Sequence, residues 1–257
     1  MNSNGENLKL MLCGLLCMMW LGSILPIGGA IRHKGVAPEA VSSIRSSHSS
    51  QDHNSIRPEE VREAEQRLSD LGYWTGPVDG LLDEGSRHAL IAFQKIEARK
   101  PTGRLTPDEL QAIRRAKRPA PLESGYSHVE VDLGRQVLFI VDISGRVSKI
   151  LPVSSGTGKP FTSQGWTRRA ITPLGRFTAY GKIAGWRKSP LGLLYYPVYI
   201  AGGIAIHGNP SVPANPASHG CIRIPMYAAK QFSEMTPLGT VVIVYDPSAR
   251  KSEDDIP

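Results

Sequence analysis

A mainly β domain carrying one or two helices, preceded by a small three-helix module, is the architecture this sequence predicts. Three observations carry that expectation. Hydrophobic residues recur every three or four positions between Arg57 and Ala116, then at every second position from His128 onward. The 26 glycines and 20 prolines make up about 18% of the chain against an average near 12%, which favours turns and strands over a helical bundle. The 257 residues, 40% hydrophobic and 21% charged, have globular composition and room for one or two domains.

The first thirty residues stand apart. Lys9 precedes an uncharged stretch from Leu10 to Ile27, and Gly28-Gly29-Ala30 follows it. A basic residue, an apolar core and a small-residue exit describe a secretory signal peptide cleaved near Ala30 or, uncleaved, a membrane anchor. In both cases the rest of the chain is exported. Three cysteines cannot pair completely, and two of them, Cys13 and Cys17, lie in this segment, so Cys221 is the lone thiol of the mature protein. Residues 31–56 are rich in Ser and His without hydrophobic periodicity and are expected as a flexible linker.

Residues 57–116 form the helical module. Val61, Ala64, Leu68 and Leu71 make one apolar stripe, with Gly72 to end its helix, and Ala89, Leu90, Phe93 and Ile96 make a second. Thr106-Pro107-Asp108-Glu109 reads as an N-cap, a proline in the first turn and a capping-box glutamate, ahead of Leu110 and Ile113. Leu71-Gly72-Tyr73, Gly76, Val78-Asp79-Gly80, Ala89-Leu90, Phe93-Gln94, Gly103, Leu105 and Thr106 resemble the type 1 peptidoglycan-binding domain. The pattern departs from that family at Leu82-Asp83-Glu84, where an aromatic and a glycine are common, and at Ser86 in place of Thr. Peptidoglycan binding is what the resemblance implies. From the residues alone, Asp79 and Gly80 are expected to hold a tight turn.

Residues 117–127, with Pro119 and Pro121, read as a second linker, and 128–246 as the β domain, followed by a tail, 247–257. Val129 and Val131 alternate. Gln136 to Val141 is an apolar run, and Ser144-Gly145 turns into Val147 to Val153. Further strand-like runs are Arg176 to Tyr180, Val198 to Ile206 and Val241 to Tyr245, with one helix from Pro225 to about Met235. This domain holds the net charge of +7, an excess that attracts anions. An aromatic-basic stacking surface for nucleic acid is lacking, so an anionic polymer or a carboxylate-bearing peptide is the expected partner.

Chemistry concentrates in two short runs. Ile206-His207-Gly208 ends one strand-like run, and ten residues on comes Ser218-His219-Gly220-Cys221-Ile222-Arg223. A working thiol needs a base or a field that lowers its pKa, and His207 and His219 are the candidates. In an extended segment the side chains of His219 and Cys221 would point to one side. Gly220 between them would let the backbone approach a substrate and offer its N–H to an oxyanion. Arg223 could fork onto a carboxylate. The competing readings are a zinc site built from His207, His219 and Cys221, whose spacing matches no common zinc signature, and a purely structural cysteine.

These runs are similar to the catalytic motif of the L,D-transpeptidases (YkuD-type), as are Pro152-Val153-Ser154-Ser155-Gly156 and Thr172-Pro173-Leu174-Gly175-Arg176-Phe177. The resemblance implies a β-sandwich, Cys221 as nucleophile and His207 as its base, oriented by the carbonyl of Gly208. It implies that His219 shapes the pocket, that N–H groups around Gly220 and Cys221 hold the oxyanion, and that Arg223 and Ser218 contact substrate, Ser218 chiefly by fixing the loop. The implied reaction joins two peptidoglycan stem peptides between their third residues with release of D-Ala, without metal or other cofactor. Water as acceptor would make the enzyme an L,D-carboxypeptidase, and a protein amine would make it an anchoring enzyme. A non-catalytic wall-binding protein is the alternative of another class. The expected setting is the periplasm or cell wall, as a monomer that touches the membrane only through residues 1–30 if these stay uncleaved.

Overall fold

The computed structural model describes residues 56–248. The signal or anchor segment, most of the first linker and nearly all of the tail lie outside the described residues. In chain order the elements are α1 (Pro58–Asp70), α2 (Glu84–Ile96), α3 (Pro107–Arg115), β1 (His128–Asp132), β2 (Val137–Val141), β3 (Val147–Pro152), β4 (Pro160–Ser163), β5 (Trp166–Arg169), β6 (Gly175–Thr178), β7 (Gly181–Lys182), β8 (Trp186–Ser189), β9 (Gly192–Ala201), β10 (Ile204–Asn209), β11 (Ile222–Pro225), α4 (Met226–Met235) and β12 (Val241–Tyr245).

The three helices are capped by their own sequence. Glu60 reaches back to the Arg57 N–H at 2.9 Å, Asp83 accepts from the Ser86 N–H at 2.9 Å, and the Thr106 hydroxyl accepts from the Glu109 N–H at 3.2 Å. The capping box expected at α3 is only half made, because the Glu109 carboxylate turns to Arg99 Nε at 3.0 Å instead. Glu65, 1% exposed, organises the loop that carries the family likeness. Its carboxylate accepts from Asp79 N–H at 3.1 Å, Gly80 N–H at 2.8 Å and the Ser86 hydroxyl at 2.5 Å. Gly80 is required there, since at φ +85° an added Cβ would lie 2.9 Å from the Pro58 carbonyl oxygen.

The β domain is a sandwich. One sheet has the order β3-β2-β1-β12-β6, with β1 and β12 parallel. The other has the order β11-β10-β9-β7, with β10 and β11 parallel and β8 paired to β9. The run Val198 to Ile206, expected as one strand, is instead a hairpin turning at Gly202-Gly203, and its first strand begins at Gly192. Val131, Leu138, Ile140, Val242 and Val244 pack between the sheets against Val198, Ile206, Ile222 and Ile224, with Ala228, Ala229 and Phe232 of α4. The opposite face of the first sheet is also covered. Val137, Phe139, Val141, Val147 and Ile150 join one core with Leu68, Tyr73, Phe93 and Ile113 of the helical module.

Two-sided burial changes how β1 is read. Val129 and Val131 alternate as expected, yet His128, Glu130 and Asp132 are buried as well. The connection 117–127 crosses them: Leu122 and Glu123 donate their N–H groups to Glu130 at 2.8 and 2.9 Å, and Arg118 donates to the Val147 carbonyl at 2.6 Å. Backbone bonds tie the module itself to β3, from Trp74 N–H to Ile150 O at 3.0 Å and from Ile150 N–H to Gly72 O at 2.8 Å. The helical module is therefore packed against the β domain along a shared core.

Candidate active site

The parallel pairing of β10 with β11 sets His207 level with Arg223, and Ile206 level with Ile222. Alternation then does the sorting. Ile206, Ile222 and Ile224 point into the sandwich core, while His207 and Arg223, with Cys221 two residues before it, line a cavity of about 460 Å³ on the outer face. Gly208 allows α4 to pack close behind this strand, because a Cβ there would lie 2.6 Å from that of Ala229.

The loop ahead of Cys221 is fixed by a dense set of hydrogen bonds. Ala217 and Ser218 donate N–H groups to the Ser155 carbonyl at 3.0 and 2.9 Å, and Thr157 N–H donates to Ser218 O at 3.1 Å. The Ser218 hydroxyl donates to Cys221 O at 2.5 Å and accepts from Gly220 N–H at 2.9 Å. Thr172 Oγ1 donates to Gly220 O at 2.7 Å and accepts from Gly156 N–H at 2.9 Å. The two supporting runs noted in the sequence, around Ser155 and Thr172, are thus the struts of this loop.

Two expectations are corrected. Gly220 has φ +133°, so His219-Gly220-Cys221 is not extended, and simple alternation does not describe it. A Cβ at Gly220 would lie 2.9 Å from both Ile171 O and Ile204 Cδ1, which is the steric reason for glycine. The Gly220 N–H, expected at an oxyanion, is already taken by Ser218. His219 is exposed at the cavity rim with its ring 4.7 Å from that of Phe161.

His207 is 3% exposed, and its Nδ1 lies 2.9 Å from its neighbour's carbonyl, Gly208 O. A carbonyl only accepts, so Nδ1 carries the proton and Nε2 keeps the lone pair. Burial pushes His207 down to about 4, with Arg223 adding to the effect and the Gly208 carbonyl opposing it. Burial likewise pushes the Cys221 thiol up, against the pull of the Ala205 backbone and Arg223. At neutral pH the pair therefore rests as thiol and neutral imidazole. The thiol's own contact is a weak one to Gly203 O at 3.8 Å.

Two walls of the cavity were not anticipated from the sequence. The β4–β5 hairpin contributes Phe161 and Arg168, and the β8–β9 hairpin contributes Arg187 and Leu191 to Leu194. With Arg223 this makes three arginines and no carboxylate among the described lining residues. Their signal was available in Arg168-Arg169 and Arg187-Lys188, two short cationic runs inside the basic domain. Among the described residues no three His, Cys, Asp or Glu side chains are grouped to hold a metal ion, and no helix is long and apolar enough to cross a membrane.

Comparison with known proteins agrees with this geometry. The model of the L,D-transpeptidase catalytic domain (YkuD) matches residues 126–244, and that of a peptidoglycan-binding domain matches residues 57–113. No curated protein sequence matches the chain. Among solved structures, an L,D-transpeptidase from Xylanimonas cellulosilytica is 39% identical, with a TM-score of 0.69 over 72% of this chain and 93% of that one. An L,D-transpeptidase from Stackebrandtia nassauensis is 21% identical, TM-score 0.42, over 73% of this chain and 91% of that one. One from Mycobacterium tuberculosis is 18% identical, TM-score 0.39, over 46% of this chain and 57% of that one. A sandwich with this cavity, the matched domains and a relative of such identity lead to one conclusion: the chain belongs to the L,D-transpeptidase family.

Proposed function

We propose that this protein is an exported cysteine L,D-transpeptidase acting on peptidoglycan stem peptides. What supports the reading is that Cys221, just before β11, and His207 of the neighbouring strand β10 line one cavity, with Nδ1 of His207 tied to the Gly208 carbonyl. Nε2 is then the atom that takes the thiol proton as Sγ attacks the carbonyl of the third stem residue. The tetrahedral intermediate collapses by breaking the bond to the terminal D-Ala, whose amine receives the proton from His207. The thioester next accepts attack by the side-chain amine of a second stem, which returns the thiol and makes a third-to-third cross-link. Because burial holds the thiol up and the imidazole down, the thiolate forms only as the bond to substrate forms.

The other residues act around that step. The Cys221 N–H takes the oxyanion role, since Gly220 N–H serves the loop. Arg223, with Arg168 and Arg187, attracts stem-peptide carboxylates. His219 and Phe161 shape the rim, and Ser218 holds the loop. The protein works as a monomer in the periplasm or wall, without a cofactor, and meets the membrane only through residues 1–30 where these stay uncleaved. Incubation with disaccharide-tetrapeptide tests the reading: D-Ala release accompanied by cross-linked dimers is expected, tripeptide alone marks water as acceptor, and no D-Ala release contradicts it.

A further inference from the structure

A lysine of the helical module ends inside the β domain. Lys95, in the last turn of α2, is 9% exposed, and its Nζ donates to the carbonyls of Gln136 at 2.9 Å and Val153 at 3.2 Å. Burial pushes this amine down to about 7, a cost that a solvent-facing lysine would not bear. The residue it grips is itself unusual. Gln136 is 5% exposed and sits at φ +55°, in the left-handed region, where a non-glycine residue is strained and persists only when its surroundings hold it.

Every polar group of the Gln136 side chain is used. Nε2 donates to Leu133 O at 2.7 Å and to Ser155 Oγ at 2.8 Å, while Oε1 accepts from Ser155 N–H at 2.9 Å. Its backbone carbonyl accepts from Val153 N–H at 2.9 Å as well as from Lys95. The clamped residue, Ser155, is 2% exposed and is the one whose carbonyl receives the N–H groups of Ala217 and Ser218. Ser218 in turn holds Gly220 N–H and Cys221 O. An unbroken series of hydrogen bonds, buried or partly buried, runs from α2 to the nucleophile's own peptide group.

We propose that Lys95 and Gln136 are positioning residues of the reaction centre: the helical module, through Lys95, holds Gln136 in its left-handed conformation, and Gln136, through Ser155, sets the loop that carries Cys221. The helical module is on this view part of the catalytic unit as well as a wall-binding domain. The inference rests on the transpeptidase reading for what Cys221 does, but the contacts themselves do not depend on it.

The test uses the full-length protein and three variants: Lys95→Met, Gln136→Asn and the double variant. Asn tolerates the left-handed region but is too short to clamp Ser155, so it separates the clamp from the backbone strain. Two readouts are taken well below the melting temperature, acylation of Cys221 by imipenem and alkylation of Cys221 by iodoacetamide against pH, both by peptide mass spectrometry. The expected result is a first-order acylation limit about tenfold lower in Gln136→Asn and severalfold lower in Lys95→Met, with the half-saturating imipenem concentration within about twofold of wild type. The double variant should fall no further than the worse single one, since both act along one series. The alkylation midpoint should move down toward that of an ordinary thiol as burial of Cys221 relaxes. Folded variants with unchanged acylation limits and alkylation midpoints, or losses that add in the double variant, overturn the inference. Failure of the wild type to acylate would instead contradict the transpeptidase reading, and the alkylation midpoints alone would then decide the inference.

Discussion

Two glycine-containing loops gave this chain its family resemblance, and they use their polar groups in opposite ways. In the loop Gly76 to Gly80 of the helical module, the N–H groups of Asp79 and Gly80 are both satisfied by the buried carboxylate of Glu65, and Asp79 Oδ1 accepts from Leu81 N–H. In the loop Ser218 to Cys221, Ser218 and Gly220 are equally occupied by the loop itself, yet among the described residues the thiol makes only weak backbone contacts and Nε2 of His207 has no hydrogen-bond partner. A specific motif thus marks a demanding local geometry in both places. On the proposed function, the loop that reacts is the one beside which a thiol and an imidazole nitrogen are left over after the geometry has been satisfied.

That contrast can be broken by substitution, and the largest effect is expected at the thiol. Cys221→Ala should lower turnover by about 10⁴-fold or more, by loss of the covalent route, while melting stays near that of wild type. Removing the base is expected to cost less. His207→Ala should lower the acylation rate by about 10²–10⁴-fold. Gly220→Ala probes the geometry of the same loop. With contacts of 2.9 Å and a positive φ, it should destabilise by about 1–3 kcal/mol in denaturant titration and reduce acylation as well.

The helical loop should respond in the other sense. Glu65→Ala leaves the N–H groups of Asp79 and Gly80 without their acceptor, which should cost about 2–4 kcal/mol of stability while the acylation rate stays within about threefold of wild type. A severe loss of acylation at unchanged stability would erase the distinction between the two loops.

A pH dependence of stability is predicted as well. The folded His207 lies at about 4 and the unfolded residue near 6.5, so the unfolded chain binds the extra proton between these values. Stability is therefore full above about 6.5 and is lost as pH falls toward 4, by about 3 kcal/mol from this residue. His207→Gln should remove that part of the acid sensitivity from the melting curve.

Much of this arrangement was legible in the residues, and the boundary of what was legible has physical causes. Helices α1 to α3 and strands β2 and β12 follow from local periodicity, and the Ser218 to Arg223 run announces its chemistry because Cys221, the one cysteine outside residues 1–30, sits among histidines and glycine. The hairpin at Gly202-Gly203 was hidden inside one apolar run, since the two strands flanking the turn are hydrophobic in the same way. The burial of His128, Glu130 and Asp132 was not legible, because nothing local reveals that residues 117–127 fold over them. Glu65, Lys95 and Gln136 were equally silent. Glu65 meets Asp79 and Gly80, 14 and 15 positions on, within the helical module, and Gln136 meets Ser155, 19 positions on, within the β domain. Lys95 meets Gln136 and Val153, 41 and 58 positions on, a role that exists only once the module meets the β domain.

The central claim, that Cys221 is a nucleophile held ready by its loop, is tested most directly by intact mass. The full-length protein is incubated with imipenem beside Cys221→Ala. One covalent adduct per chain on the wild type, mapped to the peptide containing Cys221 and absent from the variant, is the predicted result. An unmodified wild-type mass, or an adduct that persists in Cys221→Ala, would contradict it.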